Sequence, residues 1–195
     1  MDRHAETNDT VVSFDDEPLI LVDPDDNILG YEAKNICHDG EGLLHRAFSI
    51  FVFDTAGRLL LQRRAEGKRL WPGYWSNSCC SHPRRGEEDP AAADRRVHEE
   101  LGIAPALHFL FRFRYHARYR DLGAEHELCS IYAAVSDDPV AYNVNEIADT
   151  DWIEPAALDA ALAERPEDFT PWLRLEWPRI RQDHWFTVET LLGKD

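Results

Sequence analysis

A chain of 195 residues is long enough for one domain with a sizeable core, and one domain is the expectation. It carries 37 acidic residues against 21 basic ones, and only Lys34, Lys68 and Lys194 are lysines, so nucleic acid and anionic membranes are poor partners for the surface as a whole. No run of about 18 or more apolar residues could cross a membrane, and "MDRHAETNDTVVSFDDE" has neither the basic start nor the apolar run of a signal peptide. A soluble, cytoplasmic protein is expected. Its four cysteines, at 37, 79, 80 and 129, are too few and too irregular for a secreted disulfide framework and read as free thiols.

Residues 1–17 read as a polar, acidic, frayed arm, and the folded domain as residues 18–195. "LILVD" and "ILGYEA" flank the turn-forming "PDDN", while "AFSIFVFD" and "RLLLQRRA" flank "TAG", which predicts two strand pairs. The stretch 67–88 is rich in Gly, Pro, Ser and aromatics and reads as loop. "DPAAADRRVHEELG" follows as a helix, with Asp89 as N-cap, Pro90 at the first helical position and Gly102 just past the end. Strand-like "HFLFRFRYHARY", "HELCSIYAAV" and "DTDWIE" come next, then helices in "PAALDAALAERP" and "TPWLRLEWPRIRQDHWFTVETLL". Strands, a helix between strands and helices at the end predict an α/β class fold, an α/β/α sandwich around a mixed sheet.

From Ser81 to Ile103 the chain reads "SHPRRGEEDPAAADRRVHEELGI", which resembles the Nudix box, a loop and helix whose glutamates bind divalent metal on a diphosphate. Glu87, Arg95, Val97, Glu99, Glu100, Gly102 and Ile103 match its pattern; Ser81 stands for a glycine and Arg96 for a glutamate. A plain solvated helix would also pair Arg95 with Glu99 and Arg96 with Glu100, although arginine before glutamate is the less favourable order. In Nudix hydrolases the carboxylate at the position of Arg96 helps assemble the metals that activate water. A cation there weakens hydrolysis and improves grip on phosphate oxygens.

The run "LWPGYWSNSCCSHPRRGE" resembles the type I isopentenyl-diphosphate isomerases, the non-hydrolytic branch of the Nudix superfamily, and "LLHRAFSIFVFD", "LLLQRRA", "FRYHA", "EHELC" and "TPW" extend the likeness from about Leu19 to Trp172. The resemblance implies interconversion of isopentenyl and dimethylallyl diphosphate, which adds a proton at one carbon and removes another nearby, in a site that excludes water. It assigns the acid and base to Cys80 and Glu127. Cys79 falls on a variable position and reads as small apolar packing. Tyr115 is expected to hydrogen-bond the catalytic carboxylate or lend it a proton, and Trp172 to place its π face against the cationic carbon.

The same resemblance implies a site for Mn²⁺, Zn²⁺ or Mg²⁺ at His38, His45, His82, Glu125 and Glu127, with both imidazoles before "AFSIFVFD" coming from a loop. Glu125 and Glu127 alternate along a strand and so face one side, while His126 points away. A rival zinc set of Cys37, Cys79, Cys80 and His82 lacks a C-x₂-C pair. Diphosphate binding falls by resemblance to Lys34, Arg64, Lys68 and Arg96, with Mg²⁺ joining Glu100 to the phosphate oxygens; "LQRRAEGKRLW" supplies the local cations that an anionic substrate needs on so acidic a surface. Dispersed acidity with scarce lysine also resembles proteins of salt-loving microbes such as halophilic archaea, against ordinary acidic variation. Rival functions are a Nudix diphosphohydrolase acting on nucleotide or other diphosphates, and a noncatalytic module that binds a phosphorylated ligand. Oligomeric state is not legible.

Overall fold

The computed structural model describes residues 6–194. The longest apolar strand, β4 (His45–Phe53), is the axis of a mixed sheet. Along it runs β9 (Gly123–Val135), parallel and in register from His45↔Glu127 to Phe53↔Val135. β8 (His108–Tyr119) pairs antiparallel with β9 on its other side. β2 (Pro18–Val22) and β3 (Ile28–Ala33) form the first expected hairpin, and β5 (Leu59–Arg64) joins β11 (Ile147–Ile153) at the far edge.

Side chains alternate along β4, and the two faces acquire different covers. Phe48, Ile50 and Val52 pack beneath α2 (Asp89–Leu101), against Ala92, Ala93, Val97 and Leu101. Ala47, Phe51 and Phe53 face the other way, toward α3 (Pro155–Glu164), α4 (Pro171–Arg179) and α5 (Trp185–Leu191). Trp177 of α4 stacks on Phe51 and Phe53, with centroids 6.3 and 6.5 Å away. Burying a side chain of this class stabilises the fold by about 1.5–3 kcal/mol. One helix on one face and three on the other give the expected α/β/α sandwich.

Local expectations need four corrections. First, Asp89 is not the cap of α2: Glu88 holds that position with extended backbone, and the Asp89 carboxylate accepts hydrogen bonds from Ser130 Oγ at 2.8 Å and Arg112 Nη2 at 2.9 Å. Gly102 does end the helix, in the left-handed conformation. Second, the stretch read as loop contains β6 (Trp75–Ser76) and β7 (Cys79–Ser81), held as strands by β5 and β4 respectively. Third, the last helix is broken. Pro178 has no N–H to donate, and after α4 the backbone widens into a π turn at Ile180–His184 before α5.

The fourth concerns the arm. Residues 1–5 of it lie outside the described residues, but β1 (Glu6–Asn8) pairs in parallel with β10 (Ala141–Asn143), and Val12 is buried. The Val12 carbonyl accepts hydrogen bonds from Arg84 Nη2 at 3.1 Å and from Arg96 Nη1 at 2.7 Å. Part of the segment 6–17 is thus held against the domain, its Val12 carbonyl adding an acceptor for the Arg84 and Arg96 guanidinium groups.

Candidate active site

Strand register gathers the site. Ser49 pairs with Cys80, and Ile50 with Cys79, between β4 and β7; directly opposed residues share a face, so the register separates the adjacent cysteines. Cys79 lies fully buried against α2, whereas Cys80 joins the face covered by α4. His45 opens β4, correcting its expected place in a loop, and stands opposite Glu127; Glu127 in turn stands opposite Tyr115 on β8. Odd-numbered positions on β9 place Glu125 with Glu127. His126 faces away, where its Nδ1 meets the Gly42 carbonyl at 3.3 Å.

His38, His45, His82, Glu125 and Glu127 converge so closely that one ligand atom from each lies within 4.8 Å of all the others. The Nδ1 atoms of His38 and His45 lie 2.6 and 2.7 Å from the carbonyls of Lys34 and Leu43, which leaves Nε2 of each ring facing the cluster. His38 Nε2 is 2.8 Å from Glu125, and His82 Nε2 is 3.0 Å from Glu127 Oε1. His45 Nε2 is buried without a hydrogen-bond partner. Burial and the neighbouring His38 push the His45 ring down to about 3, so it stays a neutral donor. Burial also depresses His82; His38 feels the same burial but is raised overall by the Glu125 carboxylate. Three imidazoles, two carboxylates and the two orphaned ring nitrogens, His45 Nε2 and His82 Nδ1, fit a divalent cation. The rival set is not assembled: Cys79 lies on the opposite face, and the Cys37 thiol meets the Glu32 carbonyl at 3.6 Å.

Cys80 lines a cavity of about 380 Å³ together with Glu127, Tyr115, Trp172, Lys34, Arg64, Lys68 and Arg96. Burial, with Glu176 nearby, pushes its thiol up to about 12, and its sulfur lies 2.8 Å from Asn77 Oδ1. Trp172 Nε1 approaches the same sulfur at 3.2 Å while also contacting Ser76 Oγ at 2.9 Å and Asn77 Oδ1 at 3.1 Å. Tyr115 donates to Glu127 Oε2 at 2.7 Å. Burial and the Glu125 charge raise the Glu127 carboxyl well above the usual range.

The four expected phosphate-binding cations line that same cavity, each already engaged. Arg64 lies 5.1 Å from the Trp172 ring centroid and donates to the Leu70 and Trp71 carbonyls; Lys68 pairs with Glu146, and Lys34 with Ser13 Oγ. Arg96 is buried in ion pairs with Glu99, Glu100 and Glu146. Both helix pairs of the plain reading, Arg95 with Glu99 and Arg96 with Glu100, form. Glu100 is buried against Arg96 and does not line the cavity, so the structure does not bring this expected Mg²⁺ ligand together with the four cations. Sequence reasoning gave no role to Ser49, Ser76, Asn77, Glu146 or Glu176. For Glu176 a signal existed: 172, 173, 176, 177 and 180 form a buried stripe at helical spacing, and Glu176 is its one charged member.

Comparison with known proteins agrees with this geometry. The NUDIX domain model matches residues 43–173. The chain is 41% identical over 170 residues to isopentenyl-diphosphate Delta-isomerase 1 of Photorhabdus laumondii, covering 86% of this chain and 97% of that protein. It is 47% identical over 157 residues to the isopentenyl-diphosphate Delta-isomerase of Burkholderia multivorans, covering 80% and 89%. Among solved structures, a protein from Deinococcus radiodurans superposes with a TM-score of 0.70 at 24% identity, covering 84% of this chain and 98% of that one, which supports the fold alone. The chain therefore belongs to the NUDIX family, within its isopentenyl-diphosphate Delta-isomerase branch.

Proposed function

We infer that the protein interconverts isopentenyl diphosphate and dimethylallyl diphosphate by protonation and deprotonation. The observation that carries the reading is one cavity that brings the Cys80 thiol and the Glu127 carboxyl together at one end of the sheet, with lysine and arginine gathered on its wall despite a net charge of −16. The family relationship supplies the substrate class.

In this reading Cys80 and Glu127 are the two proton-transfer groups. Asn77 accepts from the thiol, while Trp172 and Ser49 donate to the sulfur, so the pocket accommodates both protonated and ionised sulfur. Tyr115 steadies the Glu127 carboxyl and can return a proton to it. The Trp172 ring stabilises cationic character on the substrate, a contact worth about 2 kcal/mol when desolvated. Lys34, Arg64, Lys68 and Arg96 exchange part of their present hydrogen bonds for diphosphate oxygens. A Mn²⁺, Zn²⁺ or Mg²⁺ ion at His38, His45, His82, Glu125 and Glu127 supplies positive charge that favours the ionised form of Glu127, and Mg²⁺ at Glu100 supplies charge that offsets the diphosphate.

The acidic surface supports a cytoplasmic setting rich in salt, while the relatives named above are bacterial and add nothing for an archaeal source. The site reading is tested by metal content and turnover, with added Mg²⁺, Mn²⁺ and Zn²⁺, of His38→Ala, His82→Ala, Glu125→Gln and Glu127→Gln. The histidine variants should lose metal and regain activity when it is supplied in excess, and Glu127→Gln should stay inactive at saturating metal. Full occupancy in both histidine variants, or substantial turnover by Glu127→Gln, would contradict the assignments.

A further inference from the structure

Glu176 is a buried acid beside the reaction centre that neither the cation cluster nor the diphosphate wall uses. It lies on α4 one turn beyond Trp172 and is fully buried. Its Oε1 is 2.8 Å from Ser49 Oγ, and Ser49 Oγ is 3.8 Å from Cys80 Sγ, within reach of a sulfur hydrogen bond. Its Oε2 has no partner. Enclosing a carboxyl with an unmet oxygen is unfavourable, and a leucine would fill the same stripe at no such cost.

The chemistry has a need that this acid meets. Each double-bond shift takes a proton from one enzyme group and delivers one to another, so both finish in the wrong state for the next substrate. The site excludes water while occupied, and a reset therefore needs a stored proton. We propose that Glu176 exchanges protons with Cys80 through the Ser49 hydroxyl and resets the thiol between turnovers. The inference rests on the assignment of Cys80 as a proton-transfer group, and it makes Glu176 a positioning residue that never touches substrate.

The steps balance. When Cys80 has given up its proton, Glu176 passes its carboxyl proton to Ser49 Oγ as Ser49 passes its own hydroxyl proton to the thiolate. An S–H bond forms while product is still bound, the negative charge moves to the Glu176 carboxylate, and once product leaves a proton from entering water returns to that carboxylate through the hydroxyl of Ser49, which lines the cavity. In the reverse reaction the same hops run backward. Burial raises Glu176 to about 8, so the carboxyl holds a proton to give at neutral pH. The titratable and charged groups around Glu176 are Cys80 on β7, Cys129 and Glu127 on β9, and Arg179 on its own helix.

The test is kcat and KM for isopentenyl diphosphate between pH 5.5 and 9.5 in wild type, Glu176→Gln, Ser49→Ala, the double variant and Cys80→Ala, with melting temperatures alongside. Glu176→Gln should lower kcat by roughly 10- to 100-fold at unchanged KM, and the alkaline decline of wild-type kcat near pH 8 should vanish. Ser49→Ala should do the same, and the double variant should be no worse than either single. Ser49→Ala removes one oxygen and carries the same pH test if Glu176→Gln fails to fold. Wild-type kcat and an intact alkaline decline in both variants, with Cys80→Ala inactive, would overturn the relay while leaving the role of Cys80 standing. Turnover by Cys80→Ala would instead remove the assignment on which the relay rests.

Discussion

Replacing Glu176 with glutamine should reverse the order of stability between mildly acidic and mildly alkaline solution. In the folded protein burial lifts this carboxyl to about 8 from its ordinary 4.5. Between those values the folded state keeps a proton that the unfolded chain releases, so stability must fall as pH rises. Any stabilisation is fully present below the unfolded value and lost as pH climbs through the folded one. One proton is worth about 1.4 kcal/mol per pH unit, and over this interval the loss is on the order of 4 kcal/mol. Glutamine cannot ionise and escapes that loss. It keeps an oxygen for Ser49 but places an amide where Oε2 had no partner, at a pH-independent cost of about 1–3 kcal/mol. The assay is urea denaturation at pH 5, 6, 7 and 8 under fixed metal concentration. Titrations of all other groups cancel in the difference between the two proteins. Wild type should be the more stable at pH 5 and Glu176→Gln at pH 8; a constant difference across the range would refute the burial argument.

Cys79→Ala should cost about 1–2 kcal/mol in chemical denaturation and leave most turnover, whereas Cys80→Ala should abolish turnover; equal losses would mean the strand register does not separate their roles. Gly123→Ala should destabilise by on the order of 3 kcal/mol and weaken metal binding measured by calorimetry, because φ is +150° there and an added Cβ would overlap the His38 carbonyl oxygen. Melting temperature should rise as KCl goes from 0.1 to 2 M, since the Debye length falls to about 3 Å at 1 M and each kcal/mol gained raises Tm by roughly 2–4 °C; a flat or falling Tm would remove the salt-adapted reading of the 37 acidic residues.

What the sequence made legible was mostly local. The apolar run "AFSIFVF", the "PDDN" turn and the alanine-rich helix ending at Gly102 each carry their own signal, and the sandwich follows from their order. Period-2 geometry alone put Glu125 and Glu127 on one face and turned His126 away. What escaped depends on pairing between distant segments. Nothing near Cys79 and Cys80 announces that β7 lies against β4, yet that register sets which thiol meets the cavity. Likewise, residues 6–17 look unstructured in isolation, and the partners of their backbone, β10 and the Arg84 and Arg96 guanidinium groups, come from distant parts of the chain. Pro178 was visible, but not that the chain would continue past it as a π turn and a further helix.

The central claim is tested most directly by incubating the purified protein with isopentenyl diphosphate and Mg²⁺ and following dimethylallyl diphosphate and free phosphate together by NMR. The account predicts that the allylic diphosphate accumulates to an equilibrium mixture with no release of phosphate. Phosphate release without any allylic product, especially across a range of nucleoside diphosphate derivatives, would contradict it and make the protein a hydrolase.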